Sequence, residues 1–176
     1  MAKHYVNLPL SKDVIETLVT GDQVYLSGDI YTARDQGHVR LIELLSSGNE
    51  LPVSLRNETI YYVGPAPTPP GKVIGSCGPT TSYRMDGLTR PLLEAGLLGM
   101  IGKGKRNAEV IDAIVEYGAV YFQAIGGAGA LLASCVVRQE VIAFDDLGPE
   151  AFRRLTVRDF PVIVAIDCRG NDIFNR

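Results

Sequence analysis

The chain has 176 residues, of which 46% are hydrophobic and 21% charged, and its formal net charge is −3. That length and balance suit one globular domain, here taken as residues 1–176, with a core of its own. The missing basic excess argues against a nucleic-acid partner, and the early polar turn of MAKHYVNLPLSKD argues against a secretory leader.

In chain order, 4–10 reads as an extended entry segment. Ser11 caps a short helix, SKDVIETLV. QVYLSGDIYTA (23–33) is β-rich and interrupted at Ser27-Gly28. RDQGHVRLIELLSSG (34–48) has a helical apolar face of Val39, Leu41, Ile42 and Leu45 and ends at Gly48. TIYYVGPA (59–66) is a strand that runs into PAPTPPGK, a stiff surface loop. KVIGS (72–76) reads as a strand. A helix is expected from Thr89 to Ala95, with Pro91 in its first turn. LLGMIGKG (97–104) is a strand, and NAEVIDAIVEYG (107–118) is a helix capped by Asn107. AVYFQAIGG (119–127) is a strand, and AGALLASCVV (128–137) begins as a helix. DLGPEAFRRL (146–155) reads as a short helix, and FPVIVAIDCRGN (160–171) as a last apolar strand. Apolar strands alternating with helices predict an α/β sheet covered on its faces. The run 120–137 is too interrupted by glycine to span a bilayer, so no membrane segment is expected.

Cys77, Cys135 and Cys168 are odd in number and widely spaced. They read as buried thiols in a reducing, cytoplasmic setting rather than disulfides or cluster ligands. GLLGMIGKGKR fails the phosphate-loop template in both spacing and final residue. IGGAGALL places Leu132 where a dinucleotide loop, counted from Gly127, needs its third glycine, so close helix packing is the better reading. With only His4 and His38, no serine triad or zinc site is legible.

Three glycine-flanked polar stretches remain, each between an apolar segment and a helical one. They are TARDQGH with Thr32, Arg34, Asp35 and His38; GPTTSYRMD with Thr80, Thr81, Ser82 and Arg84; and GKGKRN with Lys103, Lys105 and Arg106. Strand-to-helix turns gather at one sheet edge and offer free N–H groups to anions. Arginine forks match carboxylates, and lysine adds a point charge. The residues alone predict an anion-binding α/β domain, with a carboxylate or a phosphate as ligand. Equally, Arg34 could pair with Asp35 or Glu43, and Lys103, Lys105 and Arg106 could be solvated turn charges.

The motifs GPTTSYRMD, LLEAGLLGMIGKGKR, AVYFQAIGGAGALLA, SGDIYTARDQGH and EVIAFDDLGPEAFRRLTVRDFPVIVAIDCRGND together resemble one family. It is the β subunit, or C-terminal domain, of iron–sulfur-dependent class I fumarases and L-tartrate dehydratases. The resemblance runs from about residue 5 to the end. It implies a single swivelling, three-layer β/β/α domain like one domain of the aconitases. It implies a hydro-lyase active only with a cluster-bearing α subunit, in an α2β2 assembly, with the [4Fe–4S] cluster on that partner and none on this chain. Fumarate hydration to L-malate is the expected reaction; L-tartrate dehydration or a non-catalytic anion-binding module are the alternatives. By motif position, Arg34, Arg84 and Lys103 are expected to bind carboxylate and Thr80 to stand nearest the reacting carbons as proton-transfer group. Asp35, His38 and Thr81 are expected behind them, with Asp35 and His38 orienting Arg34. Tyr83 replaces the family's usual small residue, which bears on the exact dicarboxylate.

Overall fold

The computed structural model describes residues 1–124 and 128–175. Seven strands form one sheet: β1 (Lys3–Asn7), β2 (Gln23–Thr32), β3 (Thr59–Tyr61), β4 (Gly99–Gly102), β5 (Val120–Gln123), β6 (Val136–Ala143) and β7 (Phe152–Ile166). β1 to β5 run parallel in chain order, while β7 pairs antiparallel with β2, β5 and β6. Because β7 meets both β2 and β5, strands β2, β3, β4, β5 and β7 close on themselves.

The two-residue period of the strands sorts their side chains into two cores. Tyr61, Val63, Ile101, Val120 and Phe122 join Leu26, Leu155 and Phe160 between the sheet layers. Ile60, Tyr62, Met100 and Tyr121 point the other way, against the helices. Those helices are α2 (Asp35–Ser46), α3 (Asp86–Glu94) and α4 (Ala108–Tyr117), which follow β2, β3 and β4; α1 (Lys12–Thr17) and α5 (Gly129–Ser134) are short. The result is the expected three-layer α/β domain. Among the described residues no helix is long and apolar enough to cross a membrane.

The helix ends are as local chemistry requires. Ser11 Oγ accepts from Val14 N at 3.2 Å, and Asn107 Oδ1 accepts from Val110 N at 2.9 Å. Gly48 ends α2 in the left-handed region at φ 69°. β2 does not break at Ser27-Gly28 but passes through a bulge there. At φ 128°, Gly28 brings its backbone so close to Leu8 that an added Cβ would sit 2.9 Å from the Leu8 Cβ.

Several expectations are corrected. Residues 72–76 form no strand; they cross back over the Pro-rich loop, where Ala66 N donates to Ser76 O. α3 begins at Asp86, not Thr89, so Pro91 lies inside the helix and removes one internal bond. The helical reading of 146–155 yields to a 3₁₀ turn over Asp145–Glu150, because Gly148 turns out of helical geometry and Pro149 brings no N–H. β7 then begins at Phe152, well before residue 160. β6 was not foreseen at all; it is an exposed edge strand with weak alternation, specified by its pairing with β7.

Candidate functional site

The parallel strands put the three polar stretches side by side, each at the carboxyl end of its strand. Arg34 follows β2, Lys103 follows β4, and the segment from Thr80 to Arg84 lies between them. Thr80 N donates to Tyr62 O at 2.7 Å, just past β3, and Thr81 forms a parallel bridge with Lys103.

Arg34 stands at the N-cap of α2 with no side-chain cap bond. Its side chain lies along Gly64: a Cβ there would come within 3.0 Å of its Cδ and Nη1, so glycine is what lets the guanidinium lie flat. Its Nε is buried without a hydrogen-bond partner, and its guanidinium has no ion pair among the described residues. The Lys103 ammonium and the Thr80 hydroxyl, both on half-buried residues, likewise have no partner among the described residues. Arg84 is exposed and holds Asp35 through Nε at 3.0 Å and Nη2 at 3.4 Å. Two of its five N–H donors are thus engaged.

Asp35 therefore pairs with Arg84 rather than with Arg34. His38 does meet Arg34, at its main chain: Nδ1 donates to the Arg34 carbonyl at 2.7 Å. Its ring is fully buried edge-on to Tyr62, with centroids 5.2 Å apart, and Nε2 has no partner among the described residues. Burial pushes the imidazole down from 6.5 to about 4, helped by the nearby Arg106 charge. Thr81 contributes the main-chain bridge to Lys103. Tyr83 stands out into solvent, 64% exposed.

Some of the N–H groups at these turns are taken. Glu150 Oε1 accepts from Gln36 N at 3.1 Å, and Asp86 Oδ2 accepts from Asn107 N at 3.0 Å.

Beneath the turns lies a layer of residues that no motif singled out for this purpose. Arg106 is fully buried, not a solvated turn charge. It donates Nε to Asp86 Oδ1 at 2.6 Å, Nη1 to Tyr62 Oη at 3.1 Å and Nη2 to Thr89 Oγ1 at 2.8 Å. Its guanidinium sits between the Tyr62 and Tyr121 rings, 5.2 and 4.9 Å from their centroids. Ser82 Oγ and Tyr121 Oη are 2.8 Å apart in the same layer. Ser82 and Arg106 had stood out only as turn residues, and Tyr62 and Tyr121 lie in apolar runs that patterning alone reads as ordinary core.

A concavity of about 480 Å³ is lined by Thr20 and Asp167 at the opposite, amino end of the parallel strands, and one of about 450 Å³ lies between 69–76 and α5. Neither is lined by Arg34, Thr80, Arg84 or Lys103. The weak glycine pattern counted from Gly127 lies partly outside the described residues. Gly129 supports close packing, since a Cβ there would stand 2.2 Å from Ser76 Oγ.

No group of three or more His, Cys, Asp or Glu side chains among the described residues is arranged to hold a metal. Cys77 is buried, with its thiol pushed up to about 12 by burial, while Cys135 and Cys168 are half-buried and free. A metal cluster does not fit this chain's own cysteines.

Comparison with known proteins places these features in context. The family described as Fumarase C-terminus matches residues 2–176. The anaerobic class I fumarate hydratase of Escherichia coli (strain K12) is 42% identical over 154 residues, which cover 86% of this chain but 28% of that protein. The putative L(+)-tartrate dehydratase subunit beta of Methanocaldococcus jannaschii is 42% identical over 171 residues, covering 94% of this chain and 88% of that protein. The mitochondrial fumarate hydratase 1 of Leishmania major is 38% identical over 95% of this chain and 30% of its own length. The chain thus spans under a third of these fumarate hydratases and most of the β subunit.

Proposed function

Because the chain belongs to the Fumarase C-terminus family, we propose that it is the β-type half of a two-subunit hydro-lyase acting on a four-carbon dicarboxylate. The observation that carries this reading is the row of side chains at adjacent strand ends. The Arg34 guanidinium, the Lys103 ammonium and the Thr80 hydroxyl stand there with no partner among the described residues. Cations left unpaired next to a hydroxyl are costly unless a ligand completes them. Two arginine forks and a lysine match two carboxylates.

The substrate we assign is fumarate, hydrated reversibly to L-malate, the activity named for most of the relatives; tartrate is the second reading, from the named β subunit. The match over most of a protein named as a β subunit supports a separate partner subunit. We assign the iron–sulfur centre of such an enzyme to that partner, since the cysteines here do not fit one. No step is routed through it. An assembly of two such pairs in the cytoplasm, where free thiols stay reduced, completes the reading.

In this mechanism Arg34, Arg84 and Lys103 bind the carboxylates and fix the carbon chain. Arg84 keeps three N–H donors uncommitted while Asp35 steadies the other two. Thr80 moves the proton; the neighbouring cations favour its ionised oxygen, which a free threonine would not reach.

The test is an anaerobic assay that follows fumarate absorbance. The chain is used alone and co-expressed with a cysteine-bearing partner, on malate and on tartrate. Activity in the pair alone, with malate preferred, is the expected result. Tartrate preference would replace the substrate, and a pair with intact cluster that turns over neither would overturn the reading. Within an active pair, Thr80→Ala is expected to lower kcat about 10²–10⁴-fold with KM near wild type. Near-normal turnover removes Thr80 from the proton role.

A further inference from the structure

We propose that Ser82 and Tyr121 form a clamp that positions Lys103 against Thr80 and Arg84; the role of Lys103 as a carboxylate binder rests on the reading above. Both main-chain polar groups of Lys103 are bonded to Ser82. Ser82 N donates to Lys103 O at 3.0 Å, and Lys103 N donates to Ser82 Oγ at 3.1 Å. Ser82 lies two residues from Thr80 and two from Arg84, so one residue sets the register of all three.

The proton directions of the clamp follow from counting hydrogens. Tyr121 Oη has one, and it goes to Gly104 O at 2.8 Å. Ser82 Oγ must then donate to Tyr121 Oη, 2.8 Å away, while accepting from Lys103 N. The circuit runs from the Lys103 amide through two hydroxyls to the carbonyl of the next residue. It leaves the turn around Lys103 one arrangement.

The surroundings hold the clamp rigid. Ser82 and Tyr121 are wholly buried. A Cβ at Gly102 would stand 2.0 Å from Ser82 Oγ and 2.7 Å from the Tyr62 ring, so the end of β4 touches Ser82 directly. The Tyr121 ring rests on the Arg106 guanidinium, which Asp86 anchors at 2.6 Å. Gly104 N is tied to Gln123 Oε1 at 3.2 Å, closing the turn from β5. Preorganised placement of this kind affects turnover, since a shift of about 1 Å costs on the order of 10²-fold.

The experiment compares Ser82→Ala and Tyr121→Phe with Asp167→Asn in the assembled enzyme, all below their melting temperatures. Asp167 bonds Thr20 and Asn171 at the far end of the sheet and serves as a control for lost buried hydrogen bonds. Both clamp variants are expected to lower kcat/KM about 10- to 100-fold, with KM raised as well as kcat lowered, since the displaced Lys103 is a carboxylate binder. The double variant should be little worse than either single one, because one circuit is broken in each. Asp167→Asn should lower the melting temperature and leave kcat and KM unchanged. Clamp variants with kcat and KM within about twofold of wild type overturn the proposal. A second readout is independent of activity: amide hydrogen exchange at Lys103 and Gly104 in the full chain should quicken about tenfold or more in Tyr121→Phe. If the wild-type pair turns over no dicarboxylate, the hydro-lyase reading fails by itself, and unchanged exchange at these two amides then overturns the clamp.

Discussion

Two strata meet at the carboxyl end of the parallel strands, and they treat positive charge in opposite ways. In the lower one Arg106 is fully buried, and Asp86, Tyr62, Thr89 and two aromatic faces take up its donors. In the upper one Lys103, three residues earlier in the same turn, has no side-chain partner among the described residues, and neither has the Arg34 guanidinium. A buried charge must be paired to exist at all, so the lower stratum is complete as it stands. The upper stratum is incomplete, and what would complete it is an anion. Satisfaction of donors, more than residue type, separates scaffold from site.

The strongest way to break this contrast is to strip the lower stratum of its anion. Asp86→Ala leaves a buried guanidinium uncompensated and is expected to cost about 3–5 kcal/mol of folding stability, measured by urea unfolding. A loss under about 1 kcal/mol would mean that Arg106 is no more built in than Lys103.

His38 belongs to the lower stratum and sharpens the contrast through pH. Its folded value of about 4 lies below its ordinary 6.5, so the native state binds fewer protons than the unfolded chain between those values. The stability tied to its neutral ring is fully present above pH 6.5 and is lost as pH falls through 4. The total is about 3 kcal/mol. Urea midpoints at pH 7 and pH 4 should show that drop in wild type and a flatter profile in His38→Phe. An equal slope in both would show that His38 stays neutral at no cost. The carboxylates of Asp22 and Asp167, held below the usual range despite burial by the hydrogen bonds they accept, titrate beneath this window.

The upper stratum should answer in binding alone. Lys103→Ala is expected to weaken dicarboxylate binding by about 1.5–3 kcal/mol in calorimetry of the assembled enzyme. Its folding stability should stay within about 0.5 kcal/mol of wild type. A clear loss of stability would move Lys103 into the scaffold and dissolve the distinction.

How much of this was legible beforehand differs by element. Residues 34–48 and 107–118 announced their helices because apolar period and terminal glycine agree, joined in the second by the Asn107 cap. β6 was hidden, because an exposed edge strand carries little alternation and is chosen by its neighbour β7. The stretch 146–155 was read as a helix with Pro149 near its start, whereas Gly148 leaves helical geometry and Phe152 already opens β7. At the proposed site, Arg34, Thr80, Arg84 and Lys103 stood out through glycine spacing and motif. The Asp35 partner was misjudged, since Arg84 lies 49 positions away along the chain and only the parallel sheet makes them neighbours.

By itself the sequence determined the family, the three layers and the residue types gathered at the proposed anion site, because these depend on local period, turn chemistry and long ordered motifs. Only the tertiary structure decided which cations are spent internally. Arg106 and Lys103 share one turn and one charge, yet Arg106 points under the sheet edge into Asp86 and two tyrosines while the Lys103 ammonium has no partner among the described residues. Pairing depends on residues brought from β3, β5 and α3, and no local pattern carries the distances among them.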